Sequence, residues 1–334
     1  MKFHSYISIS LLIFILFPFT LFAQTHTPKY ITVCSNIKGF YEYLPKGYQA
    51  GDTVLYPLII FSHGAGETGN GSAANLPKVL ANGTPKQIKD GIFPDSFFVN
   101  GQHYKFIVLS PQYVAWPSVG HMDTLINYAI ANYKVDTSRI YLTGLSMGGG
   151  ITWNYAADSY KKCRRIAAIV PVCGATGANT YRAKIMAVAR LPVWATHNNG
   201  DPTVPDSTTT NMVNFINANK PAPLPMAIKT TFISNSHNAW SATYNLTFRP
   251  NGLNVYEWLL THKRPIFNYW LGPSNGAWEN SIYWSRGFVP NLSSETVIDR
   301  NNPVKINSIA HTKRLHLYNG GRIILESGQL KINP

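Results

Sequence analysis

The sequence predicts an α/β fold, with a mostly parallel central sheet flanked by helices and a small β-rich module at the C-terminal end. Short apolar runs alternate with segments whose apolar residues recur at helical spacing, which is typical of a parallel sheet buried on both faces. Polar motifs directly follow the apolar runs, and such motifs gather at the carboxyl edge of a parallel sheet. Beyond position 264 the sequence becomes rich in Gly, Asn and Ser with short alternating runs, which indicates a separate β module.

The composition indicates a folded, basic protein. Of the 334 residues, 45% are hydrophobic and 13% are charged, which supplies a core for one large domain plus a small appendage. The formal net charge is +14. Because the lysines and arginines are scattered, with only short clusters at 161–162 and 164–165, we expect a basic soluble surface and no nucleic-acid partner.

The first residues have the pattern of a secretory signal peptide. Lys2 precedes an apolar run at 7–22, and Ala23 is a small residue suited to cleavage before Gln24. Pro18 and the short uninterrupted apolar core argue against an uncleaved membrane anchor. We therefore expect a protein that is secreted or held at the cell surface or in the periplasm, divided into a signal peptide at 1–23, a catalytic domain at 24–264 and a C-terminal module at 265–334.

The chain has three cysteines, an odd number for an exported protein. Cys163 and Cys173 bracket an apolar strand, so at about 3.3 Å per residue they would lie roughly 30 Å apart, too far for a disulfide. Cys34 could pair with only one of them. Buried free thiols are the simplest interpretation. Since no zinc-type spacing is present, we expect neither a metal nor a cofactor.

The predicted elements follow one another in a regular order. An N-terminal β-ribbon lies within 30–44, and a loop and helix region occupies 74–91. Helices are predicted from apolar spacing and N-cap residues at 119–133, 151–157, 207–219 and 254–260. Buried strands are predicted at 58–61, 106–109, 139–143, 166–170, 192–195 and 227–233.

One strand–turn–helix segment contains a G-x-S-x-G motif, the sequence form of a nucleophile elbow. The strand at 139–143 leads into Gly144-Leu145-Ser146-Met147-Gly148, and a helical segment follows. Such a turn strains the serine backbone, and side chains at the two glycine positions would clash. The hydroxyl of Ser146 is then held at a helix N-terminus, where developing negative charge is favoured. Ser146 is therefore the predicted nucleophile.

A serine nucleophile needs a base, and that base needs an acid to orient it. In this strand order the acid should precede the histidine, and both should follow the serine. Asp201 follows one predicted strand and His237 follows the next, so these two residues are the predicted acid and base. Asp206 is the rival acid. A turn aspartate in Gly-Asp-Pro and a surface histidine are the ordinary alternatives.

The small residues after the strand at 58–61 fit an oxyanion loop. Backbone N–H groups of Ala65 and Met147 are the predicted donors. His63 is expected to hold the loop through hydrogen bonds beside the substrate rather than to act as base, and Glu67 is expected to brace it. The predicted substrate-binding residues are His63, Trp116 and Trp240, with ordinary core packing as the alternative for both tryptophans.

Four motifs together resemble those of the α/β-hydrolase superfamily. Within it, the chain is similar to the esterase branch that contains carbohydrate esterase family 1, the feruloyl and acetylxylan esterases, and the polyhydroxybutyrate depolymerases. The motifs are Ser-His-Gly-Ala-Gly-Glu at 62–67, the elbow segment at 135–149, His-Asn-Asn-Gly-Asp-Pro-Thr-Val-Pro at 197–205 and His-Asn-Ala-Trp at 237–240. The resemblance covers about 30–264.

This resemblance implies a serine esterase without metal or cofactor, acting on feruloyl or acetyl esters of plant polysaccharide. Two departures leave the substrate open. The acid loop at 197–201 is longer than the His-Gly form frequent in relatives, and Asn238 stands where an aspartate is frequent. Depolymerisation of a polyhydroxyalkanoate-type polyester is the second enzymatic hypothesis.

The tail carries three spaced tryptophans, Trp270, Trp278 and Trp284, and then short alternating runs separated by turns. Runs of this length at nearly regular intervals predict a few rungs of a β-solenoid or a small β-sheet module. Packing between rungs is favoured over carbohydrate binding for the tryptophans. A non-enzymatic hypothesis remains, in which the protein is a surface glycan-binding protein that contacts glycan or the cell surface through this module.

Overall fold

The computed structural model describes residues 25–51, 53–220, 222–264, 267–285, 288–292, 294–299, 303–318 and 320–332. The predicted signal peptide at 1–23 lies outside the described residues. Within the described part of the chain, no helix has both the length and the apolarity needed to cross a membrane.

The region before residue 265 alternates strands with helices. Its strands are β1 Thr25–Lys29, β2 Ile37–Leu44, β3 Tyr56–Ser62, β4 Phe97–Val99, β5 Gln102–Tyr104, β6 Ile107–Tyr113, β7 Val135–Leu145, β8 Ala168–Val172, β9 Trp194–Asn198 and β10 Ile228–Phe232. Its α-helices are α1 Gly83–Lys89, α2 Val119–Asn132, α3 Met147–Ala156, α4 Tyr160–Cys163, α5 Thr180–Val188, α6 Ser207–Asn217, α7 Trp240–Thr243 and α8 Val255–Leu260. Short 3₁₀ helices lie at Ala65–Glu67, Leu76–Ala81 and Pro250–Gly252.

An eight-stranded sheet organises this region, in the order β1-β2-β6-β3-β7-β8-β9-β10. The first two pairings, β1 with β2 and β2 with β6, are antiparallel. The others are parallel, and β4 pairs with β5 as a separate hairpin. This is the strand order of the α/β-hydrolase fold. The predicted fold class is therefore confirmed, and the parallel strands from β3 to β10 end at one edge.

The sheet is buried on both faces. Along β3, Leu58 and Ile60 join the core cluster that contains residues of α2 and α3, whereas Ile59 and Phe61 join the cluster that contains residues of α8. All four side chains are fully buried, and each contributes about 1.5–3 kcal/mol by leaving water. This alternation produces the apolar run that marked the strand in the sequence.

Several predicted boundaries differ from the structure, and two of the differences have identifiable reasons. The helix predicted at 151–157 begins at Met147. The prediction placed its start too late because Gly148 to Gly150 have low helix propensity. Glycine is nevertheless required at these positions by close contacts. A Cβ on Gly150 would lie 2.6 Å from the carbonyl oxygen of Ala175. The ribbon predicted within 30–44 starts earlier, at β1. This strand contains Pro28, a residue that argues against a strand in the sequence. Proline is tolerated there because β1 is an edge strand.

The tail forms stacked parallel strands. Its strands are β11 Phe267–Tyr269, β12 Gly276–Ala277, β13 Glu295–Ile298, β14 Val304–Ile306, β15 Ile309–Thr312, β16 Arg314–Leu317, β17 Ile323–Leu325 and β18 Gln329–Ile332. They pair in parallel as β11-β13-β16, β12-β14-β17 and β15-β18. Because successive strands belong to different sheets in rotation, the chain coils as solenoid rungs do.

The tail tryptophans form its core. Trp270, Trp278 and Trp284 are each at most 2% exposed and pack with Ile298, Val304 and Ile306. Trp284 lies 5.0 Å from Trp270 and 4.7 Å from Trp278, centroid to centroid. Rings buried in this way hold the rungs together and do not present a face to a glycan.

Candidate active site

The turn between β7 and α3 has the geometry of a nucleophile elbow. Ser146 has φ 53° and ψ −117°, a strained conformation for a residue with a side chain. A Cβ on Gly144 would lie 2.4 Å from the carbonyl oxygen of Ser62, and one on Gly148 would lie 1.9 Å from the same atom. Glycine is therefore required on both sides of Ser146 because the end of β3 passes directly beside the turn.

The end of β8 joins the serine turn to the histidine loop. The carbonyl oxygen of Val172 accepts a hydrogen bond from the N–H of Ser146 at 3.0 Å, and the N–H of Ala175 donates to the Ser146 carbonyl oxygen at 3.0 Å. Between them, the thiol of Cys173 donates to the carbonyl oxygen of His237 at 3.3 Å. Ser146 and His237 are thus both fixed to the same short segment at the carboxyl edge of the sheet.

Asp201 and His237 are in direct contact. The Oδ2 atom of Asp201 lies 2.6 Å from Nδ1 of His237, and the carboxylate is fully buried. The other ring nitrogen of His237, Nε2, is buried and has no hydrogen-bond partner among the described residues. An imidazole held by a carboxylate at Nδ1, with Nε2 unoccupied, is arranged to take a proton at Nε2.

Further hydrogen bonds keep Asp201 ionised. Burial alone would raise the pKa of Asp201, but the bond from His237 and those from the N–H groups of Val204 and Thr203 hold it below its usual value. The two backbone bonds reach Oδ1 at 3.0 and 2.8 Å. The fully buried His197 places Nε2 3.2 Å from Oδ2 and 3.0 Å from the Val204 carbonyl oxygen. A negative charge at Asp201 is therefore well supported.

The rival acid, Asp206, contacts Lys229 and Thr210 instead of His237. Its carboxylate lies 2.6 Å from Nζ of Lys229 and accepts a hydrogen bond from the hydroxyl of Thr210 at 2.9 Å. It stands at the N-cap of α6. The structure thus brings Asp201, and not Asp206, to the histidine.

The two residues predicted to supply the oxyanion donors are each the first residue of a helix, and both helices begin beside the Ser146 turn. Ala65 is the first residue of the 3₁₀ helix Ala65–Glu67 and Met147 is the first residue of α3. N–H groups in the first turn of a helix have no acceptor within that helix. A Cβ placed on Gly64 would lie 3.7 Å from Cβ of Ser146, so the loop runs against the serine.

His63 holds this loop from inside the protein. It is 1% exposed, with Nδ1 2.6 Å from the carbonyl oxygen of Gly64 and Nε2 accepting from the N–H of Tyr113 at 2.9 Å. Burial lowers the pKa of His63 to about 4, so the ring is neutral. Since both nitrogens are engaged by backbone, its expected place among the substrate-binding residues is corrected to that of a loop support.

A chain of contacts links the loop to the histidine. Asn82 donates from Nδ2 to Oε1 of Glu67 at 2.7 Å and accepts at Oδ1 from the indole N–H of Trp240 at 2.9 Å. The Trp240 ring packs edge-on against His237, 5.4 Å between centroids. Trp240 therefore lies beside His237, and its role in substrate binding stays a prediction. Trp116 follows β6 at the same edge and is 54% exposed.

Three contributors were not predicted as site residues: Cys173, His197 and Asn82. Cys173 directly follows β8 and His197 lies near the end of β9, so the rule that site residues gather at strand ends could have identified both. Asn82 lies in a loop outside the four motifs, and no local signal marks it.

Cys173 forms a close group with Asp201 and His237. Ligand atoms of the three side chains lie within 4.8 Å of one another. Burial raises the pKa of the Cys173 thiol to about 12, and the thiol donates its proton to the carbonyl oxygen of His237. All three cysteines are free thiols, Cys163 and Cys173 buried and Cys34 half-buried.

No protein-family model matches the chain, and no curated protein does so. Solved structures similar to it include a thermostable esterase, 23% identical with a TM-score of 0.48, over 68% of this chain and 59% of that one. A ferulic acid esterase is 16% identical with a TM-score of 0.47, over 67% of this chain and 96% of that one. The feruloyl esterase module from Clostridium thermocellum, complexed with sinapinate, is 15% identical with a TM-score of 0.45, over 64% and 82%.

The chain spans 59% of the length of the thermostable esterase. The α/β-hydrolase fold of this chain stands on its own strand order and elbow.

Proposed function

We propose that this protein is an exported serine esterase that cleaves feruloyl or acetyl esters on plant polysaccharide. One observation carries the proposal: the contact between Asp201 and His237 leaves Nε2 of the histidine unoccupied at the edge where the strained Ser146 turn lies. A serine on such a turn beside such a histidine has the two parts needed for acyl transfer.

The reaction follows from the positions of these groups. Ser146 attacks the ester carbonyl carbon while Nε2 of His237 takes the hydroxyl proton, and Asp201 stabilises the imidazolium that forms. The oxyanion accepts hydrogen bonds from the N–H groups of Ala65 and Met147, and each such donor contributes about a hundredfold or more in rate. His237 returns the proton to the departing alcohol oxygen, which leaves an acyl-Ser146 ester.

The second half of the reaction repeats this pattern with water. His237 takes a proton from a water molecule, the resulting hydroxide attacks the acyl carbonyl, and the carboxylic acid departs as Ser146 recovers its proton. Every proton in this scheme passes through His237. The scheme uses only the chain's own residues.

A fluorophosphonate probe tests the nucleophile, because it phosphonylates only an activated serine. Intact-mass analysis of the purified protein should show one adduct, which is absent in Ser146→Ala. A Ser241→Ala variant is the matched control, since Ser241 is an exposed serine next to Trp240, and it should label as the wild type does. A folded wild type that forms no adduct would refute the proposal.

A substrate panel tests the ester class. We expect turnover of methyl ferulate or acetylated xylan together with simple nitrophenyl esters. Turnover of hydroxybutyrate oligomers alone would replace the polysaccharide proposal with polyester depolymerisation. A labelled serine with none of these esters cleaved would refute the substrate assignment and retain only the nucleophile.

A further inference from the structure

A cavity lies at the opposite edge of the sheet from Ser146. Its volume is about 690 Å³, which is within the range of about 300–1,000 Å³ for small-molecule sites. Ala167 and Pro192, which line it, stand just before β8 and β9, and Pro225 stands shortly before β10. A five-residue strand spans about 16 Å, so no single small ligand in this cavity reaches the serine turn.

The walls of the cavity come from both parts of the chain. The sheet region contributes Arg164, Arg190, Lys263 and Arg264, and the tail contributes Arg314 together with one carboxylate, Glu295. Glu295 is already engaged within the tail, with Nε2 of His316 at 3.1 Å and the cations of Arg314 at 3.7 Å and Lys313 at 4.0 Å. Among the described residues, no carboxylate pairs with the four cations of the sheet region.

Arg264 serves the fold. It is 7% exposed, and its three guanidinium nitrogens donate to the carbonyl oxygens of Ile166, Ala189 and Cys163. Burial lowers the pKa of Arg264, which is consistent with a cation held in place by carbonyl dipoles alone. Each of its three nitrogens already donates to a backbone carbonyl oxygen, so its main contribution to the cavity is charge.

Arg164, unlike Arg264, has N–H donors that make no hydrogen bond to the described residues. It is also 7% exposed. Three aromatic rings surround its guanidinium. The Cζ atom lies 4.4 Å from the ring centroid of Phe267, 4.7 Å from that of Tyr318 and 5.1 Å from that of Tyr160. Its Nη2 donates to the hydroxyl of Tyr318. Its Nε and Nη1 are buried and have no hydrogen-bond partner among the described residues.

Buried donors without acceptors are rare in proteins, and each one needs an explanation. Here the unpaired donors belong to a guanidinium with no described carboxylate partner, in the wall of a cavity with an excess of positive charge. An oxyanion supplies both the missing acceptors and the missing negative charge. Water supplies only the acceptors.

We propose that this cavity is an anion-binding site, which takes an oxyanion group, a carboxylate, sulfate or phosphate, against Arg164. Arg190, Lys263 and Arg314 surround the bound charge. Because the walls come from the sheet region and the tail together, a bound anion holds the two together. This site is independent of the proposed esterase activity, since none of its residues lies at the catalytic edge.

Calorimetric titration of the purified protein tests the site with four probes: inorganic phosphate, glucuronate, glucose 6-sulfate and neutral glucose. We expect at least one of the three anions to bind with one-to-one stoichiometry while glucose does not. The anion that binds tightest identifies the source of the oxyanion. If none of the three binds, or if glucose binds equally well, the proposal is wrong.

Variants locate the binding. Arg164→Gln should weaken it about tenfold or more, the loss expected for a charge-assisted hydrogen bond in a buried site. Since Arg164 packs against three rings and its loss could unfold the tail, the exposed pair Arg190→Gln with Arg314→Gln provides a second measurement, with an expected weakening of about fivefold.

Two controls separate this site from other effects. Lys89→Gln removes an exposed cation at the end of α1 and should bind the anion as the wild type does. Ser146→Ala should also bind normally, so a failed esterase proposal would leave this result intact. Equal weakening in Lys89→Gln and in the Arg190 and Arg314 double variant would mean that general surface charge binds the anion, and would overturn the proposal.

Discussion

The indole N–H of Trp240 donates to the side-chain oxygen of Asn82 at 2.9 Å, beside the candidate active site. The same amide donates to Glu67, which lies in the oxyanion loop. One side chain thus connects the loop that would stabilise the oxyanion to the ring that packs against His237. The relative positions of these two loops depend on both of its hydrogen bonds.

Changing Asn82 should therefore act mainly on kcat for ester turnover and have a smaller effect on the free energy of unfolding. Asn82→Asp keeps the acceptor for Trp240 but loses the donor to Glu67 and places two carboxylates together. We expect kcat to fall about tenfold, with the KM of a small nitrophenyl ester changed less, because misplaced catalytic groups act on the chemical step. Steady-state kinetics measure both constants.

A double-mutant cycle provides the control for Asn82. Asn82→Ala and Trp240→Phe each break the bond between the two side chains, so their effects on the free energy of unfolding should overlap by about 1 kcal/mol. Strictly additive effects would mean that the bond contributes nothing.

The two candidate acids, Asp201 and Asp206, should behave very differently. Asp201→Asn removes the negative charge that orients His237, so kcat should fall by about 10³-fold or more. Asp206→Asn is the matched control because it makes the same chemical change in a carboxylate that pairs with Lys229. We expect it to retain nearly full kcat. If the Asp206 variant loses as much activity as the Asp201 variant, the assignment of the acid is wrong.

The sequence was informative where function depends on local pattern. The elbow at Ser146 could be recognised from the G-x-S-x-G pattern, which lies within one turn, although the contact that requires Gly148 is with Ser62 at the end of β3. The rule that parallel strands end together, combined with the order of acid and histidine along the chain, selected Asp201 and His237. The structure places these two side chains in contact.

Contacts between distant segments could not be predicted in the same way. Asn82 contacts Trp240 only because the loop before α1 lies against the loop before α7, and no pattern within either segment encodes that contact. Arg164 belonged to a short basic cluster that suggested an ordinary solvated surface. Its burial among three rings arises from the packing of the tail against the sheet region.

Gly148 should be among the least replaceable residues in the chain. A Cβ at this position would lie 1.9 Å from the carbonyl oxygen of Ser62, and backbone on both sides prevents easy relaxation. Gly148→Ala should lower the free energy of unfolding by about 3 kcal/mol or more, measured by urea titration. Gly177→Ala is the control, since a Cβ there meets nothing within 4 Å. Equal stability of the two variants would contradict the close packing of the elbow.

The stability of the protein should depend on pH through His63. Burial lowers the pKa of His63 from 6.5 to about 4. The folded protein therefore favours the neutral ring, and the stability that this provides is fully present above pH 6.5 and is lost as the pH falls towards 4. Between pH 7 and pH 5 the loss from this residue should be about 2 kcal/mol.

His63→Gln isolates that contribution. Burial also lowers the pKa values of His26 and His262 to about 4. Both histidines are present in the wild type and in the variant, so their contributions to the pH dependence of stability cancel when the two proteins are compared. Urea unfolding of the wild type and the variant at pH 7 and pH 5 should show a smaller decrease for the variant, although it is less stable at pH 7. The same decrease in both would mean that His63 is not held neutral, and that its hydrogen bonds to the oxyanion loop do not depend on pH.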